Sequence, residues 1–143
     1  MLEQLASREI SRSINRFRAL QPLPGLREFV AAMPRKKNEV RNRRRYPRWP
    51  LVANVTVVPL DAEFRPIGPP FIACTRNISK GGICLYHQCP PPSTLLYLEI
   101  EAIDSPPTKA VMKVLRQNHL GQYWEIAGKI REEIRDSHGS QRE

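Results

Sequence analysis

At 143 residues, 41% of them hydrophobic, the chain has material for one modest core with extensions rather than for two domains. Its 23 Lys and Arg against 14 Asp and Glu leave a net charge of +9, which points to an anionic partner and says little about fold. No apolar run approaches the roughly 18 residues of a membrane span, so no membrane-spanning segment is expected.

Residues 1 to about 20 set Leu2, Leu5, Ala6, Ile10, Ile14, Phe17 and Leu20 at three- and four-residue steps, while Ser7, Arg8, Arg12 and Arg16 fall elsewhere. That spacing predicts an amphipathic helix with one apolar stripe, stopped by Pro22 and Pro24. The stripe needs cover, either from its own domain or from a partner or second copy. Leu26 to Ala32 adds a short helical turn before Pro34. The opening Met1 to Leu5 carries no basic stretch followed by an apolar one, so no secretory leader is expected.

Charge is concentrated next. Residues 35–48 hold eight Lys or Arg and one Glu, a net +7 that leaves +2 for the rest of the chain. Such a run suits a polyanion, or serves as a solvated linker. Pro47 and Pro50 favour extended backbone at Tyr46 and Trp49, so the arginines form a strap leading into the first strand. A guanidinium offers five donors in a planar fork, able to grip phosphate oxygens or the O6/N7 edge of guanine, or to stack on a base.

From residue 51 the period becomes two. Strands are predicted over 51–59, 71–76, 83–88, 94–102, 109–115 and 124–130, separated by Pro- and Gly-rich connections. Closely spaced strands without long helices between them imply an antiparallel sheet, and one apolar face on each is most simply buried in a closed six-stranded barrel. The expected organisation is an N-terminal helical extension (1–33), a basic linker (34–43), a β-barrel (44–131) and a polar C-terminal tail (132–143). Between the second and third strands, Asn77-Ile78-Ser79-Lys80-Gly81-Gly82 reads as a polar turn. Asn77 brings an amide donor and acceptor, Ser79 a hydroxyl, and the glycines permit close backbone approach.

The order Arg44-x-x-x-Arg48, strands, Asn77-x-Ser79-x-x-Gly82 resembles the PilZ domain, a family of bacterial receptors for cyclic di-GMP. The resemblance covers roughly residues 40–131 and implies a six-stranded antiparallel barrel that binds this ligand and is not an enzyme. It implies that Arg44 and Arg48 clamp phosphates and guanine edges, that Asn77 and Ser79 read guanine, that Gly82 shapes the turn and that Arg43 stacks on a second ligand molecule. Arg41 and Arg45 also satisfy the first motif. Arg44 and Arg48 are preferred because Arg48 directly precedes Trp49-Pro50 and the strand. A protein partner, or a second copy engaged through the N-terminal helix, would receive the signal.

Other readings are weaker. Cys84, His87 and Cys89, with Cys74 nearby, suggest zinc, but their spacing is not a common ligand pattern and no metal or other cofactor is expected. Three cysteines form no even disulfide framework, which favours reduced thiols in a cytoplasmic setting. Glu99 and Glu101 share a strand face as paired carboxylates would, or as a solvated edge does. The main competitor is a basic barrel that binds nucleic acid. Against it, Phe71 and Trp124 fall in phase with aliphatic core residues rather than forming an exposed stacking platform.

Overall fold

A computed structural model describes residues 2–16, 23–33, 52–79 and 82–134. Two helices, α1 (Leu2–Arg16) and α2 (Leu26–Ala31), precede six strands: β1 (Ala53–Leu60), β2 (Phe71–Ser79), β3 (Gly82–His87), β4 (Leu95–Ile100), β5 (Thr108–Leu120) and β6 (Tyr123–Ile134). The strands close into an antiparallel barrel in the order β1-β2-β3-β6-β5-β4, the fold that the period-two pattern predicts. Closure rests on β1, which pairs with β2 on one side (Ala53 opposite Thr75) and β4 on the other (Val55 opposite Ile100). Closure pairs the central part of every strand on both sides, which removes the long open edges of a flat sheet.

Side chains alternate across each strand, so one set fills the barrel. Val55, Val57, Ala73, Leu85, Leu96, Leu98, Met112 and Ile126 form that interior. The outer face of β1 shows why the helices exist. Asn54 and Thr56 are half-buried, but from Val57 to Leu60 every residue is buried. Ile10 of α1 is 2% exposed and packs on Val58, Leu60, Tyr97 and Val111, which point out of the barrel from β1, β4 and β5. Ile14 packs alongside. Ile10 and Ile14, the stripe residues whose side chains are described, are therefore covered by the chain's own barrel. Helix α2 does the same on the other flank, where Leu26 and Val30, both fully buried, pack against Val52, Cys74 and Tyr86.

Both helices close apolar patches on the barrel wall, which is one of the two kinds of cover the sequence left open. Strand limits differ from the sequence reading in β2, β5 and β6. Strand β2 continues through Ser79, so Asn77 and Ser79 belong to a strand end rather than to a turn. Strands β5 and β6 run further than predicted, β6 passing residue 131 to pair Ile134 with Lys109. The hydrophobic signal fades there because the outer part of the β5–β6 ribbon leaves the core: residues 115–119 are exposed while their backbone pairing continues.

The ribbon depends on two glycines. Leu115 is the extra residue of a bulge, between the pairs Val114–Gly128 and Arg116–Ala127, and is 58% exposed. Opposite it, a Cβ on Gly128 would run into the Lys113 carbonyl group and come within 2.9 Å of Met112 Cε. Gly121, in the two-residue loop between Leu120 and Tyr123, has φ 62° but open space around it. Gly128→Ala is expected to cost about 3 kcal/mol through overpacking. Gly121→Ala should cost only the left-handed backbone penalty, about 1 to 2 kcal/mol. Urea unfolding of both variants checks this, and equal costs would contradict the packing argument.

Candidate ligand-binding site

Strands β2 and β3 form a hairpin whose last pair is Ser79–Gly82, so only residues 80 and 81 lie in the loop. This is the tightest common hairpin connection. Below it the ladder is irregular. Thr75 faces Leu85 and Asn77 faces Cys84, which leaves Arg76 as the extra residue of a bulge. Thr75, wholly buried, donates its hydroxyl to the Cys84 carbonyl across the same irregular step. A bulge re-aims the side chain it carries. Here it turns Arg76 onto the C-terminal end of α2.

The last carbonyls of any helix lack partners within it. Helix α2 has no basic residue of its own in its last turn. Arg76 supplies one from the barrel: its Nη1 donates to the carbonyls of Val30 (2.9 Å), Ala31 (3.1 Å) and Met33 (2.9 Å). Two N–H bonds serve three acceptors, so at least one is shared. The positive charge also complements the negative end of the helix dipole. At the other end, Arg27 Nη1 donates to Asn54 Oδ1 (3.1 Å) and lies 3.8 Å from Glu101 Oε1. Glu101 in turn accepts the Asn54 backbone N–H at 2.9 Å. The Arg27–Glu101 pair is about half exposed and contributes little by charge alone, but it fixes where α2 lies on β1.

These contacts settle where the basic segment leaves and returns. The described chain stops at Met33, held by Arg76 and packed against the α2 cluster, and resumes at Val52, which is 6% exposed in that same cluster. Val52 directly precedes Ala53, the partner of Thr75 and so two residues from Asn77. Met33 and Val52, the described residues that flank 34–51, thus both lie in the cluster beside the end of β2. Of the residues expected to bind ligand, Asn77, Ser79 and Gly82 are brought together on one hairpin. Arg43, Arg44 and Arg48, and the alternative Arg41 and Arg45, lie outside the described residues.

The residues considered for other chemistry have structural partners. Tyr97 donates its hydroxyl to Glu99 at 2.7 Å, and Glu101 is engaged by Asn54 and Arg27, so the two carboxylates serve different contacts. Among the described residues no group of three or more His, Cys, Asp or Glu gathers as a metal site would. His87 lies against Phe71 (ring centroids 4.4 Å), and the Cys89 N–H donates to its Nδ1 at 3.2 Å. No described helix is long and apolar enough to cross a membrane. Sequence reasoning missed Arg76 and Arg27 as anchors of α2. A helix C-terminus forty-odd residues upstream leaves no local signal at position 76.

Comparison of the chain with protein-family models, with curated proteins and with solved structures found no match in any of the three.

Two titrating groups give checks on this geometry. Burial pushes the Cys74 thiol up to about 11, so it stays protonated at neutral pH, and α2 covers it. Cys89 is exposed. A thiol reagent should therefore label Cys89 at once and Cys74 only on unfolding; rapid labelling of Cys74 would contradict the seat of α2. Burial lowers the pKa of His87 below its ordinary 6.5. The unfolded chain therefore takes up that proton first, and stability falls as pH drops through 6.5 toward the lower folded-state value. Thermal melting from about pH 7.5 to 5.5 should show this fall, flattened in His87→Gln.

Proposed function

We propose that the chain is a PilZ-type receptor for cyclic di-GMP, acting without catalysis in a bacterial cytoplasm and passing the signal to a partner. In this reading Arg44 and Arg48 clamp the ligand's phosphates and guanine edges, Asn77 and Ser79 read guanine, and Gly82 lets the hairpin backbone approach. Arg43 stacks on a second ligand molecule. The observation that carries the reading is the anchoring of segment 34–51 at both ends beside β2. A net +7 within residues 35–48 is thereby tethered next to the hairpin that holds Asn77, Ser79 and Gly82. Closely spaced arginines repel one another, and two phosphates would relieve that repulsion.

The closed antiparallel barrel agrees with the architecture that the resemblance implies. Ile10 and Ile14 of α1 are covered by the barrel, so a partner or second copy would read the surface that the ligand alters rather than these two residues. One observation bears on the nucleic-acid reading: two ring pairs, Phe71 with His87 and His119 with Trp124, lie at the end of the barrel away from the hairpin. Rings that are exposed can stack bases, but Phe71 packs against the barrel core.

Calorimetric titration separates the readings. Cyclic di-GMP should bind far more tightly than cyclic di-AMP, because adenine puts an amino group where an arginine fork needs the O6 acceptor. Arg44→Ala and Arg48→Ala should each weaken binding by about 2 to 4 kcal/mol. Asn77→Ala and Ser79→Ala should cost about 1 to 2 kcal/mol. Losses at Arg41 and Arg45 but not at Arg44 and Arg48 would move the clamp to the other register. Tight binding of a single-stranded oligonucleotide, with no response to cyclic di-GMP, would favour the nucleic-acid reading.

A further inference from the structure

We propose that Arg76 is a positioning residue that makes the docking of α2 and the geometry of the ligand-reading hairpin one equilibrium. Helix seat and bound ligand then strengthen each other. The coupling to ligand rests on the receptor reading above; the clamp on α2 does not.

Three observations converge on this residue. Helix α2 has six residues, too few to persist without tertiary support, so its existence depends on what holds it. Its Gly25 N-cap makes no side-chain hydrogen bond, so polar support comes from Arg27 on one flank and Arg76 at the C-terminus. Arg76 contacts three of the carbonyl groups at that end, whose residues lie 43 to 46 positions earlier in the chain. Arg76 is also the extra residue of the β2 bulge, and the next residue is Asn77. The guanidinium can reach α2 only while the bulge holds its place, and moving the bulge by one residue would shift Asn77 against Cys84. Releasing α2 removes the carbonyls that hold the side chain in its direction. Each arrangement therefore requires the other.

By linkage, the factor by which docked α2 strengthens ligand binding is the factor by which bound ligand strengthens the docking of α2. Helix α2 is also where the basic segment departs, so the same clamp fixes one root of that segment. A charged residue in mid-strand would ordinarily be a solvated outward side chain. Here three short contacts to one helix end give it a different task.

The test compares wild type, Arg76→Ala and Arg76→Lys in the full chain, by hydrogen exchange and by labelling of Cys74 with Cys84 and Cys89 changed to serine. Without ligand, Arg76→Ala should exchange severalfold faster across residues 26–33 and open Cys74 to reagent, while β4 stays protected and reports an intact barrel. The lysine variant keeps the charge and three donors and should recover most of the protection. Unchanged exchange over 26–33 in Arg76→Ala would overturn the clamp. With cyclic di-GMP, wild type should gain protection over 26–33, and Arg76→Ala should bind about tenfold more weakly. Equal affinity in the two proteins would overturn the coupling. A wild type that does not bind cyclic di-GMP would sink the receptor reading and the coupling with it, leaving the ligand-free exchange to decide the clamp. Should Arg76→Ala not fold, Arg76→Met keeps the apolar stem and carries the same comparison.

Discussion

Everything in this molecule follows from closing a sheet of six short strands on itself. A barrel this narrow has room inside for one set of side chains, and the interior is filled by Val55, Leu85, Leu98, Met112, Ile126 and their neighbours. The apolar residues that point outward cannot be accommodated there. Val58, Leu60, Tyr97 and Val111 form one external patch, and Val52, Cys74 and Tyr86 another. Each costs free energy in water, at about 25 cal/mol per Å² of apolar surface. Helices α1 and α2 are the cover. Their places are set by where the barrel is apolar outside, and the position of α2 then decides where the basic segment begins.

The strands were legible because burial on one face leaves a period of two. That held for β1, β3 and β4, whose predicted and observed limits nearly coincide. It failed at the bulges. Arg76 and Leu115 are extra residues in their strands, and a bulge exists only relative to a partner strand. The period breaks at such a residue, so reading β2 outward stops at Arg76 and misses the pairing of Asn77 and Ser79. The outer β5–β6 ribbon escaped for another reason: Arg116, Gln117, Asn118 and His119 are exposed, so no hydrophobic pattern marks them as a strand. Their pairing is fixed by backbone hydrogen bonds and the Gly121 turn.

The candidate site was legible in part. Asn77, Ser79 and Gly82 could be singled out as a compact polar motif, and the structure places them on one hairpin end. What holds that hairpin against α2 could not be read. Arg76 appeared as one more arginine in a chain with 23 Lys and Arg. Its role depends on a helix terminus that the fold, and not the sequence order, brings near. The short helical turn at Leu26 to Ala32 was legible, but not its covering role, because six residues are too few for periodicity to mark a buried face.

The anchoring of segment 34–51 has an energetic consequence. Bringing the two ends of a chain segment together costs entropy that grows slowly with length. Here Met33 and Val52 belong to one packed cluster, so that cost is met by folding of the barrel rather than by a binding event. An anion that docks between the segment and the hairpin would need to order only side chains and local backbone, which is the sense in which a scaffold preorganises a site. A free basic tail would sweep a volume set by its length, whereas a segment joined to the fold at both ends has a shorter reach. The net +7 of residues 35–48, against +2 elsewhere, falls in the sequence between two residues that the fold brings into one cluster, Met33 and Val52. Arg76 is the contact through which the barrel holds the first of them, since its guanidinium donates to the Met33 carbonyl as well as to those of Val30 and Ala31.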